Sequence, residues 1–306
     1  MPKGTLPAST LNRKGHGLAA CLKFELTLLC RRNRDGSHAT QAGRLQVLRQ
    51  VADELKASGF GRMGARSLKP KHVDVLVQRW QAEGLAAGTR KNRLAVLRWW
   101  AEKVGKPAVI ARDNTTYGIE AREFVAKDSK AIEATRAALD RIEDPRIYLA
   151  LRLQAAFGLR REEALKFRVS YADRGDHLRL RGSWCKGGRE RVVPIRTPKQ
   201  RALLSEVRRV AGDASLIPGA LRYVDQLQRF KFATSKVGLS RSHGLRHHYA
   251  QWLYRQMAGW PAPAAGGPSI AALTPAQRAI DRRVRLQVSA ELGHGREQVT
   301  TVYLGR

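Results

Sequence analysis

Three shortages narrow what this chain can be. Cysteine is scarce: Cys21, Cys30 and Cys185 are the only ones in 306 residues. Three cysteines without a C-x-x-C pair build neither a disulfide framework nor a cysteine zinc site, and they suit a reducing cytosol. Long apolar runs are also missing. No stretch approaches the roughly 20 residues that cross a bilayer. Segment 17–30 could be mistaken for a secretory leader, but Lys23 and Glu25 interrupt it and no small-residue cleavage site follows. Acid is the third shortage. Asp and Glu number 26 against 57 Lys and Arg, a formal net charge of +31 with a pI near 11.2. A polyanionic partner offsets so much self-repulsion best, with nucleic acid ahead of an anionic membrane.

What is present describes a folded, mostly helical protein. Hydrophobic residues make up 43% of the chain, enough to bury a core, and the length allows two domains. Residues 1–38 read as a basic N-terminal arm, with a short helix over Leu18–Leu29 set by Leu18, Leu22, Leu26 and Leu29. Residues 39–105 read as a compact helical unit. Leu45, Leu48, Ala52 and Leu55 share one helical face, Ser67-Leu-Lys-Pro70 opens a second helix, and Thr89 is placed to cap a third over Arg90–Lys103. Arg90, Lys91, Arg93 and Arg98 give that third helix a basic face suited to tracking phosphates, while Trp99 and Trp100 read as core. Residues 106–127 lack periodicity and read as a linker, of the sort that lets two basic units clamp a duplex.

Residues 128–306 form the larger domain. Helices are expected over Ile132–Ile142, over Ile147–Phe157 with Gly158 as its stop, and from Glu162 onward with acids in the first turn. The β signal lies in His177–Trp184, a turn at Lys186-Gly-Gly, and Glu190–Ile195, whose Pro194 confines the second strand to an edge or an end. Further helices follow at Lys199–Val210 and Val224–Val237, and the Ala-, Pro- and Gly-rich stretch 258–275 reads as an inserted surface loop. The fold class is mainly α with a small β-sheet.

Five short pieces then fall in order: Gly158-Leu-Arg160-x-x-Glu163, Lys186 on its turn, His243-Gly-Leu-Arg246-His247, Leu292-Gly-His294, and Tyr303. In this order, over about residues 40–306, the chain resembles the tyrosine recombinase (phage integrase) family, and the Thr89–Trp100 helix resembles that of the family's helical, SAM-like core-binding domain. The resemblance implies a core-binding domain over 39–105, a catalytic domain over 128–306, and a site-specific recombinase of a mobile genetic element. Such an enzyme cuts one DNA strand by tyrosine attack, holds a 3′-phosphotyrosyl bond, and rejoins through a free 5′-hydroxyl.

The chemistry suits the residues. A tyrosine hydroxyl, with an ordinary pKa near ~10, is a poor nucleophile without help. Always-charged arginines suit the extra negative charge on the transition-state oxygens. The resemblance makes Tyr303 the nucleophile and Arg160 and Arg246 the phosphate clamp, with Arg161 the rival to Arg160. His243 and His294 hydrogen-bond the phosphate, His243 accepting the tyrosine proton. Lys186 protonates the leaving 5′ oxygen, with Lys199 its weaker rival. Glu163 and His247 stand behind them, Glu163 buttressing an arginine. No metal or other cofactor is expected, since the arginines take the place of Mg²⁺. The implied partners are double-stranded DNA, three further copies in a homotetramer on synapsed duplexes, and accessory DNA-bending proteins, in a bacterial cytoplasm at the nucleoid and with no membrane. Members often carry a helix beyond the tyrosine that packs on the neighbouring subunit; Leu304-Gly-Arg306 follows here, which leaves that coupling to another surface, to a different assembly or to a longer chain. Two other readings share the scaffold: a type IB topoisomerase-like relaxing enzyme, and a catalytically silent DNA-binding protein.

Overall fold

The structure, a computed structural model, describes residues 18–120, 125, 128–294 and 297–306. It divides into two compact units, 1–123 and 124–306. The first 17 residues of the basic arm lie outside the described residues.

The first unit is built from four helices, α1 (Leu18–Arg32), α2 (His38–Ala57), α3 (Pro70–Ala82) and α4 (Ala87–Lys103). Their apolar stripes close on one core that holds Leu22, Leu26, Leu48, Leu55, Leu76, Trp80, Leu97 and Trp100. Ser37 caps α2 by accepting from Thr40 N at 3.2 Å, and Pro70 opens α3 at a position that needs no backbone donor. The structure departs from the sequence reading in three places. The helix at Leu18 packs into this core through Leu22 and Leu26 and is no free arm. Within the stretch taken as a linker, Ile110 and Ile119 are buried in the same core, because α4 ends in a loop that folds back over it. Thr89 does not cap α4: the helix begins at Ala87, and Thr89 N already donates to Ala86 O at 2.9 Å.

The second unit runs α5 (Arg136–Leu139), α6 (Pro145–Phe157), α7 (Arg161–Leu165), α8 (Val169–Ala172), β1 (His177–Leu180), β2 (Arg191–Pro194), α9 (Pro198–Ala211), α10 (Tyr223–Lys236), α11 (His243–Ala258), α12 (Pro275–Glu291) and α13 (Glu297–Leu304). Strands β1 and β2 form an antiparallel pair with His177 opposite Pro194 and Leu180 opposite Arg191. One core gathers around α6, including Leu149, Leu153 and Phe157, and a second joins α11, α12 and α13 through Leu253, Val288 and Leu304.

Two expectations fail here. The helix expected over Ile132–Ile142 shrinks to α5, because Ile132 N donates across to Gly244 O at 3.0 Å and keeps its own segment extended. Stretch 258–275 is no loose loop. It folds into two short turns, 263–265 and 270–272, buries Ala262, Ala264 and Leu273, and packs its first turn on α13. No helix among the described residues is long and apolar enough to cross a membrane.

Candidate active site

The site is assembled where α11 begins. His243, Arg246 and His247 stand at i, i+3 and i+4, hence on one helical face. Gly244 lets that helix start lie directly against segment 130–132. A Cβ at Gly244 would meet Ile132 Cγ1 at 2.5 Å and Lys130 O at 2.8 Å, closer than side-chain carbons pack, so the His-Gly-Leu-Arg pattern needs its glycine for space.

Arg246 is fully buried, and its guanidinium reaches three other segments. It donates through Nη1 to Gly158 O and through Nη2 to Leu292 O, and Nη2 lies 3.3 Å from His294 Nε2. Its Nε donates to the Tyr303 hydroxyl at 3.4 Å. A guanidinium only donates, so His294 Nε2 accepts and its proton sits on Nδ1, a buried atom without a partner.

Tyr303 arrives on α13, whose end is tied down by its own chain. Gln251 Nε2 donates to Tyr303 O at 3.0 Å, and Arg285, itself held by Asp281, donates to Gly305 O at 2.8 Å. The Tyr303 ring sits among three imidazoles, with centroid distances of 4.4 Å to His247, 5.3 Å to His294 and 5.9 Å to His243. Its hydroxyl lies 3.2 Å from His243 Nε2. That oxygen accepts from Arg246 and can donate its own proton to His243 Nε2 in the tautomer that carries the His243 proton on Nδ1. The tyrosine hydroxyl and an imidazole nitrogen thus stand within hydrogen-bond reach of each other.

Glu163 organises the other wall. Its Oε1 accepts from Arg160 Nη1 at 2.8 Å. Its Oε2 accepts from the Arg160 backbone N at 2.7 Å and from Arg191 Nη2 at 2.5 Å. Arg160 Nη2 donates to Leu292 O at 3.3 Å, the carbonyl that Arg246 also uses. Beneath this cluster Glu291 is matched separately, by Arg196 at 2.6 Å and by the Tyr249 hydroxyl.

Three guanidiniums, Arg160, Arg191 and Arg246, thus surround the single carboxylate of Glu163. The local surplus of positive charge is visible in the titrating groups. Burial first, then Arg191 and Arg160, lowers Arg246 to about 10, which still leaves it charged at neutral pH. Burial, Arg246, Arg160 and Arg191 push His294 down to about 3. Burial and then His243 bring His247 to about 4. His243, with one edge open to solvent, is lowered by partial burial, Arg246 and Arg160. All three imidazoles are neutral at pH 7, as a proton acceptor must be. An arriving phosphate would supply the negative charge that this pocket lacks.

Burial alone would raise Glu163, but Arg191, Arg246, Arg160 and the Arg160 backbone N–H together hold it down to about 2. A folded pKa below the unfolded value binds fewer protons than the unfolded chain. Its stabilisation is therefore complete above pH 4.5 and lost as pH falls through 2. That contribution amounts to roughly 3 kcal/mol. Denaturant unfolding between pH 6 and pH 2 tests it: Glu163→Gln will be less stable at neutral pH and will lack this part of the acid slope. Equal acid slopes in the two proteins would remove Glu163 from the account.

Of the residues singled out in the sequence, the structure brings together Tyr303, Arg160, Arg246, His243, His294, Glu163 and His247. Lys186 is apart from them: it is exposed on the turn 186–188 and touches none of the cluster among the described residues. Its neighbour Cys185 is buried and feels the charges of Glu163, Arg191 and Arg160, so the turn begins beside the site. The basic face of α4 is less available than its sequence suggests. Arg93 is paired with Glu54 at 3.0 Å and lies over the Trp80 ring. Arg98 binds Ala111 O and Asn114 Oδ1. Lys91 remains exposed and Arg90 half-buried. Arg191 was not foreseen. Its place on the inward side of β2, in register with buried Val193, is the period-2 signal that could have found it.

Two family models match the chain: "Phage integrase, N-terminal" over residues 20–110 and "Integrase" over residues 121–252. No curated protein matches it. Among solved structures, the chain is similar to the XerH site-specific recombinase bound to palindromic difH substrate, at 16% identity over 94% of this chain and 82% of that one, with a TM-score of 0.58. A lambda integrase dimer bound to a COC′ core site is similar at 16% identity over 91% and 76%, with a TM-score of 0.56. The Tn1549 transposon integrase in complex with circular intermediate DNA is similar at 15% identity over 93% and 95%, with a TM-score of 0.54. At such identities these likenesses speak for a shared fold. With the two integrase models together matching residues 20–110 and 121–252, the chain belongs to the phage integrase family, the tyrosine recombinases.

Proposed function

We propose that this recombinase cleaves and rejoins DNA strands through Tyr303, serving the integration or excision of a mobile element. The observation that carries the reading is the hydroxyl of Tyr303 held between His243 Nε2 at 3.2 Å and Arg246 Nε at 3.4 Å in a pocket with surplus positive charge. In the cleavage step the Tyr303 oxygen forms a bond to the scissile phosphorus and its proton passes to His243 Nε2. The bond from phosphorus to the 5′ oxygen breaks, and that oxygen takes a proton from Lys186 when the turn 186–188 closes on the DNA. Arg160 and Arg246 hold the non-bridging oxygens, on which charge builds up in the transition state. For His294 to donate to the same oxygens its proton must move from Nδ1 to Nε2, the ring nitrogen that faces Arg246. Attack by a second 5′-hydroxyl reverses the steps, so bond energy is conserved and no nucleotide cofactor is consumed. Base readout falls to side chains of the first unit and phosphate contact to its cations, exposed Lys91 and half-buried Arg90 among them. A homotetramer on two synapsed duplexes, helped by accessory DNA-bending proteins, is the working assembly, in a bacterial cytoplasm.

The direct test is a duplex carrying a candidate end site with a nick beside the scissile phosphate, so that the cleaved strand end diffuses away. A covalent adduct on denaturing gels, mapped to the peptide containing Tyr303, supports the reading; a DNA-linked peptide elsewhere in the chain overturns it. Binding to the same duplex without the nick will weaken steeply with salt as phosphate contacts release counterions. With six or more such contacts the loss is about a thousandfold or greater between 50 and 200 mM salt, and a flat salt response would leave the surplus of basic residues without a DNA role.

A further inference from the structure

We infer that Arg191 is a positioning residue for this reaction, a bridge that holds Glu163 and the turn 291–293 together and so sets Arg160 and His294 against the phosphate. The inference rests on the reaction proposed above.

Arg191 is 7% exposed and is committed in two directions. Nη2 donates to Glu163 Oε2 at 2.5 Å, and Nη1 donates to Glu291 O. Its stem also fills the space beside Gly293, where a Cβ would meet Arg191 Cδ at 2.7 Å. Gly293 has a φ of +66°, so the turn needs glycine on two counts. The next carbonyl along, Leu292 O, is the one shared by Arg160 and Arg246, and His294 follows immediately. Two adjacent carbonyls therefore anchor three guanidiniums, and Arg191 holds the first of them. Without Arg191 the turn loses its donor at Glu291 O, and Glu163 Oε2 keeps only the Arg160 backbone N–H.

Glu163 is shared between Arg160 and Arg191, so one carboxylate faces two guanidiniums and the pair leaves a net positive charge in a buried site. Burying a net charge is costly, and an entering anion would offset it. His294 reports the arrangement. It faces Arg246 and His243 from α11, Arg160 from the start of α7, Arg191 from β2, the Tyr303 ring from α13 and Ser289 from α12. Of the cations, Arg191 is the one that contributes to the field without lying in the phosphate clamp.

Arg191→Gln and Arg191→Lys, in the full chain, test the assignment by three measurements: single-turnover adduct formation on the nicked duplex, affinity for the unnicked duplex, and the NMR titration of the His294 ring. In Arg191→Gln the cleavage rate is expected to fall about 10–100-fold, as for loss of a group that orients a reacting one. DNA affinity will stay within roughly threefold, because rearranging a clamp leaves most phosphate contacts intact. The His294 titration will move to higher pH as a nearby cation is lost. Arg191→Lys keeps the charge and volume but not the two-way reach; it will recover part of the rate and leave His294 close to its native titration. Wild-type cleavage in Arg191→Gln overturns the proposal. So does a loss that tracks thermal stability in both variants while His294 stays unmoved. Should the glutamine variant not fold, a lysine variant that cleaves no faster than Arg160→Ala and shows a displaced His294 titration also overturns it, since charge alone would then not hold the bridge. If the wild-type chain forms no adduct, the proposed reaction falls, and the His294 titration alone then decides the bridge.

Discussion

Tyr303→Phe will bind its DNA site and form no covalent adduct. The phenylalanine ring fills the same space between His247 and His294, so the packing of α13 survives. What is lost is one oxygen, which accepts from Arg246 Nε and shares a hydrogen bond with His243 Nε2. Losing these two contacts costs about 1–2 kcal/mol of stability, a shift in melting temperature of a few degrees. The effect on chemistry is of another order. No other hydroxyl among the described residues stands between a neutral imidazole and a buried guanidinium, so no alternative nucleophile replaces the tyrosine. Denaturing gels after incubation with the nicked duplex give the result directly. Adduct at wild-type yield in this variant would move the nucleophile elsewhere and undo the assignment of the whole pocket.

Arg246→Ala will lower cleavage by about a hundredfold to a thousandfold, roughly 3–4 kcal/mol of transition-state stabilisation by comparison with the loss of a single oxyanion donor. Arg246 also joins four segments, through Gly158 O, Leu292 O, His294 and Tyr303. The alanine variant will therefore be less stable as well, with buried carbonyls left unpaired. Arg246→Lys separates the two effects. It keeps a charge but cannot span the same acceptors in one plane, so folding will recover further than cleavage does. Single-turnover rates and unfolding curves on both variants are the measurement. Near-native cleavage in Arg246→Ala would show that the phosphate is held by other groups.

Much of this pocket could be read in the sequence because its members are close in the chain to a structural device. Gly158-Leu-Arg160-x-x-Glu163 is a helix stop, a short link and the first turn of the next helix. His243, Arg246 and His247 share one face of one helix. Such short-range spacing survives in one dimension. Arg191 could not be read so directly, since its partners Glu163 and Glu291 lie 28 and 100 residues away, and only the inward phase of a short strand marked it. The basic face of α4 is narrower than its sequence suggests for the converse reason. Arg93 and Arg98 sit at surface spacing, yet Glu54 and the carbonyl of Ala111, both brought in by folding, consume their charge and their donors. Segment 132–142 has apolar residues enough for a helix, but Ile132 finds its hydrogen bond across the unit at Gly244 and helical spacing loses to that pairing. Composition misled at 258–275 too, where Ala and Pro supply small apolar surfaces that pack on α13.

The Tyr303 hydroxyl meets His243 and Arg246 of its own chain, while the backbone around it is fastened by Gln251 and Arg285 of that same chain. Each chain consequently brings this tyrosine, imidazole and guanidinium together by itself. Inactive variants should then fail to rescue one another: protomers with Tyr303→Phe mixed with protomers carrying Arg246→Ala will not regain cleavage, because neither can lend its intact half across a subunit boundary.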